Sequence, residues 1–280
     1  MTSWTHDHRH IPMTVPAYPR PQKVTQARVF RSEWTKLRTQ PSAGWALLSA
    51  AILIIGFGTL YSLLLEARPP HGAAAVAAFD PAAVSLAGVQ LAQIAAGVLG
   101  VLLITSEYAT GLIRTTLAAV PRRLPILWGK AALLSAATVA VSLPAAVAAF
   151  LAGQSILGRQ HLAVSLSHPG VARAVLGCAL YLAVAGLLGL GLGALLRSTA
   201  GGISALFALL FAVPLVVGFL PGNWSGEVGK FLPATAGQAV TTVHPDPAVS
   251  LAPWTGFGVF CLYTAAVLGL AALRMRRGDV

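Results

Sequence analysis

Residues 174–196 read AVLGCALYLAVAGLLGLGLGALL, and no Asp, Glu, Lys or Arg interrupts them. A helix needs about 20 apolar residues to cross the hydrocarbon layer of a bilayer, so this run alone is long enough to span one. Its apolar residues do not alternate with polar ones, which speaks against a barrel strand, and inside a bilayer only a helix or a closed barrel satisfies its own backbone. The pattern repeats outward in both directions. Trp45 to Leu65, Val84 to Ile104, Ala131 to Leu151, Gly201 to Leu220 and Trp254 to Leu273 are dominated by Ala, Leu, Val and Gly and are equally free of formal charge. The expected fold is an all-α membrane protein with six transmembrane helices. The first 44 residues carry Pro and charge but no apolar stretch of signal-peptide length, so the first run is expected to be an uncleaved span.

Composition points the same way. Of 280 residues, 56% are hydrophobic and 10% charged, more apolar mass than one soluble core of this length buries. A net charge of +11 in a soluble chain would point to nucleic acid. The positions of the charges give another reason for it. Six spans put both termini on one side, together with Arg9, Arg20, Lys23, Arg28, Arg31, Lys36, Arg38, Arg114, Arg122, Arg123, Lys130, Arg197, Arg274, Arg276 and Arg277. Arg68, Arg159, Arg173 and Lys230 are left for the other side. Lys and Arg collect on the cytoplasmic face, so both termini are expected in the cytoplasm of a cell-membrane protein. The basic excess then reflects topology and attraction to anionic lipid, and no nucleic-acid partner is expected. Cys178 and Cys261 lie inside apolar runs and read as small core residues rather than a disulfide framework.

Ahead of the spans, residues 1–22 form a Pro-rich tail expected to be disordered, and His6, His8 and His10 within it lack the surroundings that orient metal ligands. From Lys23 to Gln40, Ala27, Phe30, Trp34 and Leu37 recur at spacings of three and four, with Arg28, Arg31, Thr35 and Arg38 on another face. That is an amphipathic helix, lying on the membrane surface or packed against another part of the protein. Between the second and third runs, Thr105 to Lys130 holds Glu107, Gly111, Leu112, Arg114, Thr116, Leu117, Pro121, Arg122 and Arg123. Gly111 interrupts a helix leaving the membrane, Leu112 to Ala119 makes about two helical turns, and Pro121 ends them. A short helix at the cytoplasmic surface is expected there, with Lys130 snorkelling from the start of the third span; an ordinary basic loop set by topology is the alternative.

These residues carry a resemblance. Ser32-Glu33-Trp34-Thr35-Lys36-Leu37-Arg38, then Glu107-Tyr108-Ala109-Thr110-Gly111, Pro121-Arg122-Arg123 and Lys130 resemble the permease subunits of actinobacterial-type ABC-2 exporters. The likeness covers almost the whole chain, with residues 23–280 as one transmembrane domain. It implies that Phe30, Glu33, Trp34, Lys36 and Leu37 belong to an elbow helix. It also implies that Glu107, Gly111, Leu112, Arg114, Thr116, Leu117, Pro121, Arg122 and Arg123 form a coupling element touching an ABC ATPase subunit. ATP and Mg would then bind that partner, and this chain would carry no cofactor. Membrane lipid and a second permease copy or a paralogue complete the implied partners.

The chain can be checked for chemistry of its own. Gly129-Lys130-Ala131 and Gly229-Lys230-Phe231 are its Gly-Lys pairs, and neither has the glycine or the Ser/Thr of a phosphate-binding loop. Gly189-x-Gly191-x-x-Ala194 matches a dinucleotide fingerprint in letters only, since no strand can precede a helix in mid-span. Gly189 and Gly193, four apart, read as small residues that let two helices approach. H-E-x-x-H, paired intramembrane Asp and intramembrane His are absent from the runs, so no catalytic activity is expected. Gln90 and Gln93, three apart in the second run, either hydrogen-bond between helices or line a solute path. Pro144 and Pro214 permit kinks in the third and fifth runs. Pro221 to Pro253 is long and partly apolar, so it either dips back into the outer leaflet or rests on the bundle as a lid. Asn223-Trp224-Ser225 matches a glycosylation acceptor in letters and is given no weight. Two functions fit: the permease of an ATP-driven exporter of an amphipathic solute, or a non-transporting scaffold or sensor that anchors a cytoplasmic partner.

Overall fold

The computed structural model describes residues 41–68, 79–109, 124–221 and 224–277. Among them there is no strand. The helices are α1 (Pro41–Ala67), α2 (Pro81–Ser85), α3 (Val89–Ala109), α4 (Leu124–Leu157), α5 (Val171–Leu196), α6 (Thr199–Phe207), α7 (Val213–Gly218), α8 (Trp224–Gly229), α9 (Pro233–Gln238) and α10 (Pro253–Arg277). Six segments are long and apolar enough to cross a membrane: α1, α3, α4, α5, α6 continued through α7, and α10. The chain is a multi-pass membrane protein. Phe30, Glu33, Trp34, Lys36 and Leu37, and Gly111, Leu112, Arg114, Thr116, Leu117, Pro121, Arg122 and Arg123, lie outside the described residues, as does the 1–22 tail. Of Glu107 only the backbone is described, in the last turn of α3.

Spans run in alternating directions, so Pro41, Ala109, Leu124, Leu196 and Arg277 gather at one end of the bundle, here the near end. Ala67, Pro81, Leu157, Val171, Gly218 and Pro253 gather at the far end. Helix α5 is the axis: 78% of its spanning window is buried, against 17% for the α6–α7 span at the rim. Helices α3, α4, α6 and α10 pack around α5, and α1 packs on α3 and α4.

Glycine decides how close α3 and α5 come. A Cβ on Gly100 would fall on the carbonyl oxygen of Gly186, and one on Gly189 would fall on that of Gly97. The two helices therefore touch backbone to backbone along a parallel seam, which no larger residue permits. Gly193 continues it, 3.1 Å from the Val101 oxygen to the position of its missing Cβ. Polar side chains in the apolar helices bond mostly to their own backbone, as Ser62 Oγ does to Gly58 O at 2.9 Å and Thr264 Oγ1 to Phe260 O at 3.0 Å.

Two details differ from the sequence expectation, the start of the second span and the place of Lys130, while the two prolines are each accommodated within their spans. The second span does not start at Val84: Asp80 caps α2, the chain turns through Leu86 to Gly88, and α3 begins at Val89. Within that turn Gly88 passes against the Leu53 and Ile54 backbone of α1, where no Cβ fits. Lys130 is not at a helix start reaching for headgroups. Helix α4 begins at Leu124 and Lys130, in its second turn, is 1% exposed. Pro144 sits inside the unbroken α4. Pro214 is accommodated by a wide turn over Ala208–Ala212, in which the Val213 N–H reaches Ala208 O five residues back. A proline ring clashes with the carbonyl four residues before it, and widening the turn relieves that clash.

Candidate functional site

One hydrogen-bonded group of polar side chains lies in the far half of the bundle. Gln93 is 1% exposed and Tyr181 is fully buried. Tyr181 lies ten residues into α5, about 15 Å from its far end at the helical rise. Its hydroxyl donates to Gln93 Oε1 and accepts from Gln238 Nε2 at 3.3 Å. Gln238 Oε1 accepts from Gln90 Nε2 at 2.8 Å, and Gln93 Nε2 donates to the Gln90 carbonyl at 2.8 Å. The two glutamines singled out from the sequence thus join one network with Tyr181 and with Gln238, which arrives from 148 residues away on α9. The network links α3, α5 and the segment between the fifth and sixth spans.

That segment folds back into the bundle. Pro233, Ala234, Ala236 and Gly237 of α9 are buried, and so are Ala239 and Val240 of the following 3-10 turn. Small residues form its seat. A Cβ on Gly177 would lie 2.7 Å from Val240 O, one on Gly256 2.9 Å from Ala239 Cβ, and one on Gly237 2.6 Å from both the Tyr181 and Phe260 rings. Tyr181 and Phe260 close the floor with ring centroids 5.2 Å apart.

Two charged side chains hold the end of the segment. Asp80 Oδ1 caps α2 through the Ala82 and Ala83 N–H groups, both at 3.0 Å, an arrangement prepared by Pro81 at the first helical position. Its Oδ2 accepts from the Val243 and His244 N–H groups at 2.7 and 3.3 Å. Arg173 donates to the carbonyls of Val240 and Thr242 at 3.1 and 3.0 Å. Four main-chain groups of the segment 240–244 are therefore satisfied by two residues from different parts of the bundle, which lets irregular backbone lie against it. Gly170, at φ 90°, brings the start of α5 against Val243.

Beside this clasp, Gln154 of α4 accepts from the Val164 N–H at 2.7 Å and donates to Pro81 O and Ser85 Oγ, pinning the 158–170 connection to α2. A cavity of about 250 Å³ opens there between Asp80, Leu162, Val164, His168, Val243 and His244. Among the described residues no group of three His, Cys, Asp or Glu is placed to hold a metal ion. Cys178 is buried and Cys261 half-buried, and neither is in a disulfide.

At the near end, Arg197 joins α5 to α6 in a left-handed conformation, its guanidinium 5.9 Å from the centre of the Tyr108 ring. Thr199 Oγ1 donates to Thr105 Oγ1 at 2.9 Å, and Arg274 donates to the Leu195 carbonyl. These contacts tie the end of α3, next to Glu107, to α5, α6 and α10.

Sequence reasoning did not single out Tyr181, Gln238, Asp80, Arg173 or Gln154. Some signals were there: Asp80-Pro81 is a helix-start pair, Tyr181 is the one aromatic residue in the 174–196 run, and Arg173 stands directly before that run. No family model matches the chain, and no curated protein matches it.

Proposed function

We propose that this chain is the permease subunit of an ATP-driven exporter of the ABC-2 type, set in the cell membrane with both termini in the cytoplasm. The observation that carries the reading is the combination of six long apolar helices with a short helical segment folded back into one end between the fifth and sixth spans. The resembled exporters have short re-entrant helices at that place, and the motifs at Ser32 to Arg38 and Glu107 to Arg123 fit their elbow and coupling elements. A separate ATPase subunit would supply ATP and Mg chemistry, and a second copy or a paralogue would complete the pathway. The solute is amphipathic, in keeping with spans built largely from Ala, Leu, Val and Gly.

The mechanism is mechanical. Closure of the ATPase dimer pushes the segment between α3 and α4, with Leu112 to Ala119 as the lever, Glu107 and Arg114 orienting it, and Trp34 anchoring the elbow. Because α3 meets α5 backbone to backbone, such a push moves the two helices together and reaches the far half of the bundle without loss to side-chain rearrangement.

Purification of the tagged chain from its native membrane in mild detergent tests the proposal, with mass identification of bound proteins and an ATPase assay. A bound subunit with a phosphate-binding loop, whose solute-stimulated activity falls on Arg114→Ala while membrane insertion persists, is the expected result. A preparation without ATPase at several detergent strengths overturns it in favour of a scaffold or sensor.

A further inference from the structure

We propose that His168 and His244 form a two-histidine site for a divalent transition ion of the zinc and copper kind at the far end of the bundle. Both rings line the cavity beside Asp80, with centroids 6.3 Å apart and planes inclined at 74°. They come from connections distant in sequence, His168 between α4 and α5 and His244 between the fifth and sixth spans. The main chain is fixed at each. His168 N–H donates to Ser165 O at 3.0 Å and His168 O accepts from the Val171 N–H at 3.1 Å, in a turn completed by Pro169 and by Gly170 at φ 90°. His244 N–H rests on Asp80 Oδ2 at 3.3 Å. The backbone of the site is therefore assembled in advance, and only two exposed side chains have to turn to complete it.

The tautomer of His168 suits a ligand. Its Nδ1 lies 3.2 Å from the Pro169 carbonyl oxygen. A carbonyl only accepts, so Nδ1 carries the proton and Nε2 keeps its lone pair. Metal-bound imidazoles are oriented in this way, the second nitrogen donating to main chain or carboxylate. The spacing also fits. A metal bound to an imidazole nitrogen stands about 3.2 Å from the ring centre, so two rings on one tetrahedral ion have centres about 5.2 Å apart. Closing the rings to that distance is within the reach of side-chain rotation alone. The kind of ion follows from what else faces the cavity. Asp80 is no free ligand, because its two oxygens already accept four N–H groups, and Arg173 on the neighbouring carbonyls offsets its charge. Two neutral imidazoles without a carboxylate disfavour Ca2+ and Mg2+ and favour Zn2+ or Cu2+, with water in the remaining positions. With both termini in the cytoplasm the ion would come from the exterior medium, a direction that rests on the proposal above, whereas the site itself does not.

Metal titration of the full chain tests the site. The protein is purified in mild detergent through a histidine-free tag, with His6, His8, His10 and His71 replaced by alanine so that the tail and the first connection contribute no imidazole. Calorimetry with Zn2+ is expected to show one ion per chain. His168→Ala and His244→Ala should each weaken binding by more than about tenfold, and His161→Ala, a third histidine on the same connection as His168, should leave it unchanged. Spectra of bound Cu2+ should show two nitrogen ligands in the parent and one in either variant. A second reading tests the bridge: Zn2+ should slow protease cleavage within residues 158–170 in the parent and not in His244→Ala. Both rings are exposed, so the alanine variants keep the fold. Binding unchanged in either variant, one ion shared by two chains, or cleavage indifferent to Zn2+ in the parent overturns the site. That result would leave the exporter reading standing, and a preparation without ATPase that binds Zn2+ through both histidines would retain the site and remove the exporter.

Discussion

Substituting Gly100 by alanine tests the packing on which the bundle rests. The added methyl carbon would stand 2.8 Å from the Leu190 nitrogen and closer still to the Gly186 carbonyl oxygen, whereas ordinary contact begins at 3.4 Å. The obstacle is backbone on a buried helix, so no side chain can swing away, and α3 and α5 have to part along their seam. Overpacking of this kind costs about 1–3 kcal/mol, which covers the looser packing left on either side of the seam. At about 2–4 °C per kcal/mol for a chain of this size, the apparent melting temperature in detergent should fall by about 2–12 °C. Gly189→Ala, which meets Gly97 in the same way, should behave alike. Gly269→Ala is the control of opposite sign. Nothing lies within 4 Å of its missing Cβ in the middle of α10, so alanine there should add about 0.5–1 kcal/mol through helix propensity alone. Fluorescence-detected thermal unfolding of the three variants decides the matter, and a Gly100→Ala protein as stable as the Gly269→Ala protein would refute a backbone-to-backbone seam.

Other consequences are quicker to state. Tyr181→Phe removes the hydroxyl that Gln93 and Gln238 share and leaves Gln93 Oε1 without its donor, at a cost of about 1–3 kcal/mol seen as a lower melting temperature. Gln154→Leu keeps the volume but strands the Val164 N–H, so protease cleavage within residues 158–170 should speed up while the bundle stays folded; unaltered cleavage would show that Gln154 does not hold that connection. If the charge distribution sets orientation as expected, Ser167→Cys at the exposed far end should react with an impermeant thiol reagent on intact cells, and protection there would invert the topology.

How much of this was legible beforehand depends on the range of the interaction. Helix type and number follow from local constraint, because a chain surrounded by hydrocarbon has to satisfy each backbone group within its own segment, and a run such as 174–196 leaves no alternative to a helix. Close approach by small residues was also readable, since Gly189 and Gly193 recur on one helix face, although their partners on α3, Gly97 and Val101, were not. Places where the local pattern misled are those where a neighbour intervened. The Ala, Leu and Val of residues 84–104 look continuous, yet the chain turns at Leu86 to Gly88, with Gly88 packed on Leu53 and Ile54; Lys130 looks like a snorkelling cation, yet it is buried in a longer α4.

The sequence by itself determined an all-helical chain with six membrane-length segments, and it marked Gln90 and Gln93 as polar groups needing partners. Only the tertiary structure decided that those partners are Tyr181 and Gln238, that the segment after the fifth span folds back into the bundle, and that Asp80 and Arg173 hold it there. Hydropathy is additive along the chain and can be read residue by residue, whereas a hydrogen bond between Gln90 and a residue 148 positions away exists only once packing has chosen which helices stand side by side.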